Sequence, residues 1–157
     1  MTTGWTSLGG SHYYFSQSGQ DKRWWEAEAD CVSRGSGFSA THLAVIGTKV
    51  EAMMVGAQLA VAYAWIGMFQ PLLSPSKAAN WLAVTGGSAI GNDWSNNEPS
   101  DGGNAVEIGD ENFAQIYNNG TLNDTQGTDS LRYICECDGI PADGPTLSKV
   151  PPEPPPF

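Results

Sequence analysis

The stretch that most restricts how this chain can fold lies between Gln70 and Asn104, where the regular hydrophobic pattern disappears. It is interrupted by Pro71, Pro75, Gly86, Gly87, Gly91, Pro99, Gly102 and Gly103. Prolines and glycines break helices and strands, and a long irregular stretch inside a compact domain is usually functional. We therefore expect a small framework of helices and strands that carries one long loop.

Short regular segments are predicted on both sides of this loop. Apolar runs and alternation favour strands over residues 12–16, 42–46, 65–68, 106–108, 113–117 and 131–135. Helix-forming residues predict a helix over 24–34, and a capping box formed by Thr48 and Glu51 predicts the start of a second helix. The second helix would carry on one face Val50, Met53, Met54 and Ala57.

Length and charge exclude several classes of protein. A chain of 157 residues is long enough for one domain with a substantial core. Its net charge of −10 disfavours nucleic acid as a partner. The longest apolar run, residues 59–69, is much shorter than the ~20 residues that a membrane span needs, so no membrane insertion is expected.

The residue types that could act in catalysis or binding favour a binding function. His12 and His42, the only histidines, both lie in apolar strands, so a histidine-activated nucleophile has little support. Between Asp93 and Asp138 there are ten acidic residues and a single base, Arg132. This imbalance favours either a cation site or a solvated acidic face, and we expect no enzymatic activity.

The cysteines and the prolines define the end of the domain. Three cysteines, Cys31, Cys135 and Cys137, permit one internal disulfide and leave one thiol, or all three are reduced. After Cys137 the chain becomes rich in proline, which is typical of an extended linker. We therefore predict a domain over residues 1–139 and an extended tail over residues 140–157.

In its order of motifs the chain resembles the C-type lectin-like domain. The matching segments are Trp24–Cys31, His42–Ile46, Trp65-Ile66-Gly67-Met68, Glu98-Pro99-Ser100, Leu122-Asn123-Asp124 and Tyr133–Glu136. The resemblance covers residues 12–137. It implies an α+β fold with two helices, a twisted and mostly antiparallel sheet, and a long irregular ligand-binding loop.

The resemblance also implies how the cysteines are used. A Cys31–Cys135 disulfide would join the first helix to the last strand. The family's second disulfide is missing, because Ala105 stands at one cysteine position and no cysteine follows Asp124. Cys137 is left either as a free thiol or as a bridge to a second chain.

A calcium and sugar site is the main functional implication of the resemblance. It assigns ligand roles for the ion to Glu98, Ser100, Asn123 and Asp124, adds Asn104 as a ligand-binding residue, and places a cis peptide at Pro99. Ser100 replaces an amide, and the family's second carboxylate falls on Gly103. With an anionic ligand lost, calcium affinity is expected to be weak, in the range of about 10⁻⁴–10⁻³ M.

The expected function is carbohydrate recognition, with calcium as cofactor and a glycan or glycoprotein as partner, outside the cell or at its surface. There are two alternatives. One is a calcium-independent protein-interaction or adhesion module that uses the same loops. The other is a structural display domain that the proline-rich tail joins to a stalk or larger assembly. Cys137 or the proline-rich tail would provide any contact with another chain. The fold alone does not decide among these functions.

Overall fold

The computed structural model describes residues 4–35, 40–89, 94–101 and 111–155. Its elements are β1 (Trp5–Leu8), β2 (Ser11–Phe15), α1 (Trp24–Ser33), β3 (His42–Leu43), α2 (Lys49–Gly56), β4 (Tyr63–Phe69), β5 (Leu82–Ala83), β6 (Phe113–Tyr117), β7 (Leu122–Thr125), β8 (Ile134–Cys137) and α3 (Gly144–Leu147).

The strands form two four-stranded antiparallel sheets. One has the order β1-β2-β8-β3, and the other has the order β5-β4-β6-β7. This arrangement confirms the predicted α+β class. The strand expected over residues 42–46 is limited to two residues, and the segment 106–108 lies outside the described residues.

The disulfide joins α1 to β8 as predicted. Cys31 and Cys135 are bonded, with their Cα atoms 5.3 Å apart. The Trp24 side chain, also on α1, is buried and donates a 3.0 Å hydrogen bond to the carbonyl oxygen of Ile66 on β4. Cys137 is a free thiol and is only 8% exposed, opposite His12 on β2. Helix α1 is thus fixed to both sheets.

Helix α2 packs through a different face from the one that its large apolar residues suggest. Its buried residues include Val55 and Gly56, whereas Val50 is 66% and Met53 is 55% exposed. A Cβ added at Gly56 would lie 2.8 Å from the carbonyl oxygen of Tyr117. The helix therefore approaches the β6–β7 turn so closely that only glycine fits there.

The long loop after β4 is irregular, as predicted, wherever the structure describes it. Residues 70–89 and 94–101 contain no α-helix, and β5 is their one strand. Gln70 is fully buried, and its Nε2 donates to the carbonyl oxygens of Ser76 and Ala79, at 2.7 Å each. A buried side chain therefore supports loop backbone that has no regular hydrogen-bond ladder.

The C-terminal segment differs from the extended linker that the prolines predict. It contains α3, and Leu147 and Val150 pack against the core cluster that includes Trp24. The indole nitrogen of Trp25 donates a 2.8 Å hydrogen bond to the carbonyl oxygen of Pro151. These apolar contacts hold residues 140–155 against the domain. Among the described helices, none is long and apolar enough to cross a membrane.

Candidate functional site

The last described part of the long loop runs beside β7. Trp94 forms a parallel bridge with Leu122, and the Ser95 amide donates a 2.8 Å hydrogen bond to the Leu122 carbonyl oxygen. The hydroxyls of Ser95 and Thr121 are 2.7 Å apart. These contacts bring residues 98–101 to the strand that carries Asn123 and Asp124.

Asp124 connects β7 to the loop through both of its carboxylate oxygens. Oδ1 accepts a 2.8 Å hydrogen bond from the amide of Ser100, and Oδ2 accepts one of 2.6 Å from the amide of Asp101. Asp124 is completely buried. Asp101 has a φ of 59°, in the left-handed region that non-glycine residues rarely adopt. The Asp124 carboxylate thus stabilises an unusual loop backbone.

Glu98 lies beside this carboxylate. The Glu98–Pro99 peptide bond is cis, as the resemblance implies. One carboxylate oxygen of Glu98, Oε2, is buried and accepts no hydrogen bond within the described part of the chain. Burial, together with hydrogen bonding to the Glu98 carboxyl, raises the pKa of Asp124 from its ordinary value of 3.8 to about 7. The pair is therefore costly to ionise fully without a compensating cation.

A third carboxylate, not among the residues predicted for the site, contacts Ser100. Glu111 lies two residues before the start of β6, and its Oε2 accepts a 3.1 Å hydrogen bond from the hydroxyl of Ser100. The pKa of the nearby Tyr117 hydroxyl is raised by burial and by the negative charges around it, which include Glu98, Asp124 and Glu111. Negative charge from three segments therefore converges on one region.

The structure brings together most of the residues predicted for the site. Glu98, Ser100 and Asp124 are neighbours, and Asn123 is on β7, opposite Gln115 of β6. Asn104, like Gly103, lies outside the described residues. Glu111 was missed because its position next to Ser100 depends on where β6 begins, which no local motif indicates.

The oxygen-rich composition of the site fits a calcium ion. Calcium prefers about six to eight oxygen ligands, and carboxylates and amide carbonyls are the usual sources. Three carboxylates and the Ser100 hydroxyl come together here, Asn123 is the neighbour of Asp124 on β7, and Glu98 Oε2 is an oxygen without a partner among the described residues. A cation would also lower the raised pKa of Asp124, because a nearby positive charge favours the ionised carboxylate.

A second group of potential metal ligands, more closely spaced than the carboxylates of the loop site, lies elsewhere in the described residues. Potential ligand atoms of His42, Glu136 and Asp138 are all within 4.8 Å of one another, an arrangement not found at the loop site. These ligand atoms already make hydrogen bonds within the protein. His42 Nε2 is 3.1 Å from Asp138, and Glu136 Oε2 accepts a 2.9 Å hydrogen bond from the Val45 amide. His42 is fully buried, as expected for a packed histidine.

Comparison with known protein families gives a consistent result over most of the chain. The family model for the "Lectin C-type domain" matches residues 20–137. A human relative, "C-type lectin domain family 10 member A", is 30% identical over 132 residues, which are 84% of this chain and 38% of the relative. The chain thus spans about two fifths of that relative's length.

Solved structures share the fold. The human scavenger receptor C-type lectin carbohydrate-recognition domain has a TM-score of 0.71 and 24% identity, and the match covers 88% of this chain and 98% of that one. A calcium-independent type II antifreeze protein has a TM-score of 0.66 and 22% identity, covering 87% and 90%. The fold is therefore shared by a carbohydrate-recognition domain and by a calcium-independent antifreeze protein, so structural similarity alone does not indicate calcium binding.

Proposed function

Because the chain belongs to the C-type lectin family, we propose that it binds carbohydrate without catalysing a reaction, through a calcium ion held at the loop site. Its partner would be a glycan or glycoprotein, outside the cell or at the cell surface. The family supports carbohydrate recognition in general. The calcium dependence rests on the arrangement of this chain's own side chains.

The observation that carries the proposal is the pair formed by Glu98 and Asp124. Two carboxyl groups share a buried region, one oxygen of Glu98 has no partner among the described residues, and the pKa of Asp124 is raised to about 7. Buried charges are normally paired or bound to metal. A divalent cation between these groups would allow both to be ionised at neutral pH.

Each residue of the site would have a separate task. Glu98 and Asp124 would hold the ion directly, with Glu111 as a third anionic ligand and Asn123 as an amide ligand. Glu111 now bonds to Ser100, so its carboxylate would shift toward the ion and release that hydroxyl. The bound ion would supply open coordination positions to which two neighbouring sugar hydroxyls can bind. Glu111 would thereby supply the anionic ligand that Gly103 cannot provide.

The competing function is a calcium-independent interaction through the same loop. It is favoured by the way the two amides of Ser100 and Asp101 already fix Asp124 by hydrogen bonds. These bonds can hold the loop in place without an ion. The similarity to a calcium-independent protein of the same fold supports this alternative too.

A glycan array separates the two functions. The full chain would be applied in millimolar calcium and again in excess chelator, alongside Asp124→Ala. The proposal predicts glycan binding that disappears in chelator and in the variant. Glu153→Gln removes one charge at the surface, away from the loop, and should bind like the unmodified chain. Binding that is equal in calcium and in chelator would favour the alternative.

A further inference from the structure

Two tripeptides of the chain have the form Asn-X-Thr, which is the acceptor pattern for N-linked glycosylation. They begin at Asn119 and at Asn123. The calcium and sugar site gives no role to the first of them. Because so short a pattern also occurs by chance, the surroundings of each asparagine decide whether a glycan fits there.

Asn119 lies in the exposed turn between β6 and β7. Backbone hydrogen bonds close this turn, from the Gly120 amide to the Tyr117 carbonyl oxygen at 2.9 Å and from the Tyr117 amide to the Thr121 carbonyl oxygen at 2.8 Å. Gly120 has a φ of 84°, in the region that favours glycine. The backbone therefore determines the shape of the turn, and a group attached to the Asn119 side chain does not compete with these bonds.

The side chain of Asn119 is oriented by the threonine of its own tripeptide. Its Oδ1 accepts a 3.0 Å hydrogen bond from the Thr121 amide and a 2.7 Å hydrogen bond from the Thr121 hydroxyl. Oxygen accepts both bonds, so Nδ2 takes no part in them. Two donors on Oδ1 also stabilise the negative charge that develops on this oxygen as Nδ2 loses a proton. The contact thus favours reaction at Nδ2, the atom to which a glycan is joined.

The second asparagine has different surroundings. Asn123 is half-buried within β7, where it pairs with Gln115 of β6. Its neighbours Leu122 and Asp124 are completely buried, and Asp124 accepts hydrogen bonds from the long loop. An N-linked glycan is bulky and belongs on the surface, and on this strand it would obstruct the loop site. We therefore expect Asn123 to stay unmodified.

An exposed apolar surface lies next to the Asn119 turn. Helix α2 passes so close that a Cβ added at Gly120 would be 3.0 Å from the Cα of Met53. The Met53 side chain is 55% exposed, and Val50, three residues earlier on the same side of the helix, is 66% exposed. Contiguous exposed apolar side chains favour association or aggregation. A polar glycan on Asn119 would lie beside these two side chains and cover them.

We propose that Asn119 is an N-glycosylation site whose glycan shields the exposed apolar residues Val50 and Met53 of α2. The reaction joins Nδ2 to the anomeric carbon of an oligosaccharide carried on a lipid diphosphate. The C–O bond to the diphosphate breaks as the N–C bond forms, the diphosphate leaves with the electron pair, and Nδ2 gives a proton to a base of the transferase. The inference needs the extracellular destination of the proposed function, but not its calcium or sugar binding.

Expression of the full chain in eukaryotic cells, directed into the secretory route, tests the acceptor site. Enzymatic removal of N-linked glycans converts the acceptor asparagine to aspartate, which peptide mass spectrometry locates. We expect conversion at Asn119 and none at Asn123. Asn119→Asp keeps an oxygen for both bonds from Thr121 but lacks Nδ2, so it should fold and carry no glycan. Thr121→Ser keeps the hydroxyl and should retain the glycan.

Asn118→Asp is the matched control, because it makes the same charge change at the adjacent exposed asparagine, outside the tripeptide. It should retain the glycan. A secreted chain that carries no glycan at Asn119, or carries one at Asn123 instead, overturns the proposed site. These readouts need neither calcium nor a sugar ligand, so they are independent of whether the proposed function holds.

Binding of a dye that fluoresces on apolar surfaces tests the shielding. Removal of the glycan from the secreted protein should increase dye binding. The increase should be smaller in Met53→Gln, because this variant lacks one of the two apolar side chains beside the turn. Equal dye binding before and after removal, or an equal increase in Met53→Gln, overturns the shielding role.

Discussion

The amide nitrogen of Ser100 lies 2.8 Å from Oδ1 of Asp124 and donates a hydrogen bond to it. This contact joins the long loop to β7 across 24 positions of the sequence. It also means that Asp124 has a structural role beside its proposed role as a calcium ligand. The two roles can be separated by substitution.

Replacing Asp124 with alanine should destabilise the protein even in chelator. The change leaves the amides of Ser100 and Asp101 without their acceptor, and each unsatisfied buried group costs about 1–3 kcal/mol. Asp124→Asn keeps one carbonyl oxygen and should cost less. Urea unfolding of both variants in chelator measures the difference. Equal stability of Asp124→Ala and the unmodified protein would contradict a stabilising role for these hydrogen bonds.

The stability of the metal-free protein should fall as pH rises from about 4 to about 7. Asp124 has a pKa of about 7 in the folded chain against an ordinary value of 3.8, so the folded state holds its proton more tightly than the unfolded state. The favourable contribution is complete below the ordinary value and is lost as pH rises through the folded pKa. Unfolding in chelator across this range should detect a decrease on the order of 4 kcal/mol, since each pKa unit corresponds to about 1.4 kcal/mol.

A second buried acid would contribute to the same decrease and provides the control. Burial raises the pKa of Glu28 from 4.5 to about 7, although its hydrogen bond from the Leu43 amide opposes the shift. Glu28→Gln should therefore remove one part of the pH dependence and Asp124→Asn another. If neither variant flattens the profile, the raised pKa values do not control stability.

The disulfide should make a large contribution to stability. Cys31 and Cys135 are separated by 104 residues, and closing a loop of that length in the unfolded chain is worth about 4–5 kcal/mol in the chain-entropy model. Reduction, or replacement of both cysteines by alanine, should lower the free energy of unfolding by about 2–5 kcal/mol. Cys137→Ala is the matched control, since this thiol is free. A melting temperature unchanged by reductant would contradict the prediction.

The C-terminal segment should behave as part of the domain. A chain ending at residue 139 loses the packing of Leu147 and Val150 and the hydrogen bond between Trp25 and Pro151. Burying each such aliphatic side chain contributes about 1–2 kcal/mol, so truncation should cost about 2–4 kcal/mol. The fluorescence of Trp25 should also shift toward that of an exposed indole. A truncated chain as stable as the full one would restore the prediction of a separate linker.

Much of the framework was predictable because its signals are local. The apolar run of β4, the helix-forming residues of α1 and the capping box at α2 each indicate their element. The capping box itself differs in detail: the Glu51 amide donates to the Thr48 hydroxyl, but the Glu51 carboxylate accepts from the Gly47 amide. Local chemistry thus specified the element and tertiary context selected the partner.

The sequence-based predictions were wrong or incomplete where packing between distant segments determines the structure. The buried face of α2 is set by close contact at Gly56 with the β6–β7 turn, and hydrophobicity alone favours the face that carries Val50 and Met53. The prolines predict an extended tail, but the apolar side chain of Leu147 packs against the core of the domain. Likewise, Glu111 is one of several acids near β6, and only the fold brings it to Ser100.

Calorimetric titration of calcium into the metal-free full chain, at a pH above about 7 where Asp124 is ionised, tests directly for a calcium site at the loop. We predict saturable binding at one site per chain. Binding should weaken as pH falls below about 7, because protons compete for the Glu98–Asp124 pair, and it should be absent in Asp124→Ala and retained in Glu153→Gln. No saturable heat in the unmodified protein, or the same binding in Asp124→Ala, would contradict a calcium site at Glu98 and Asp124.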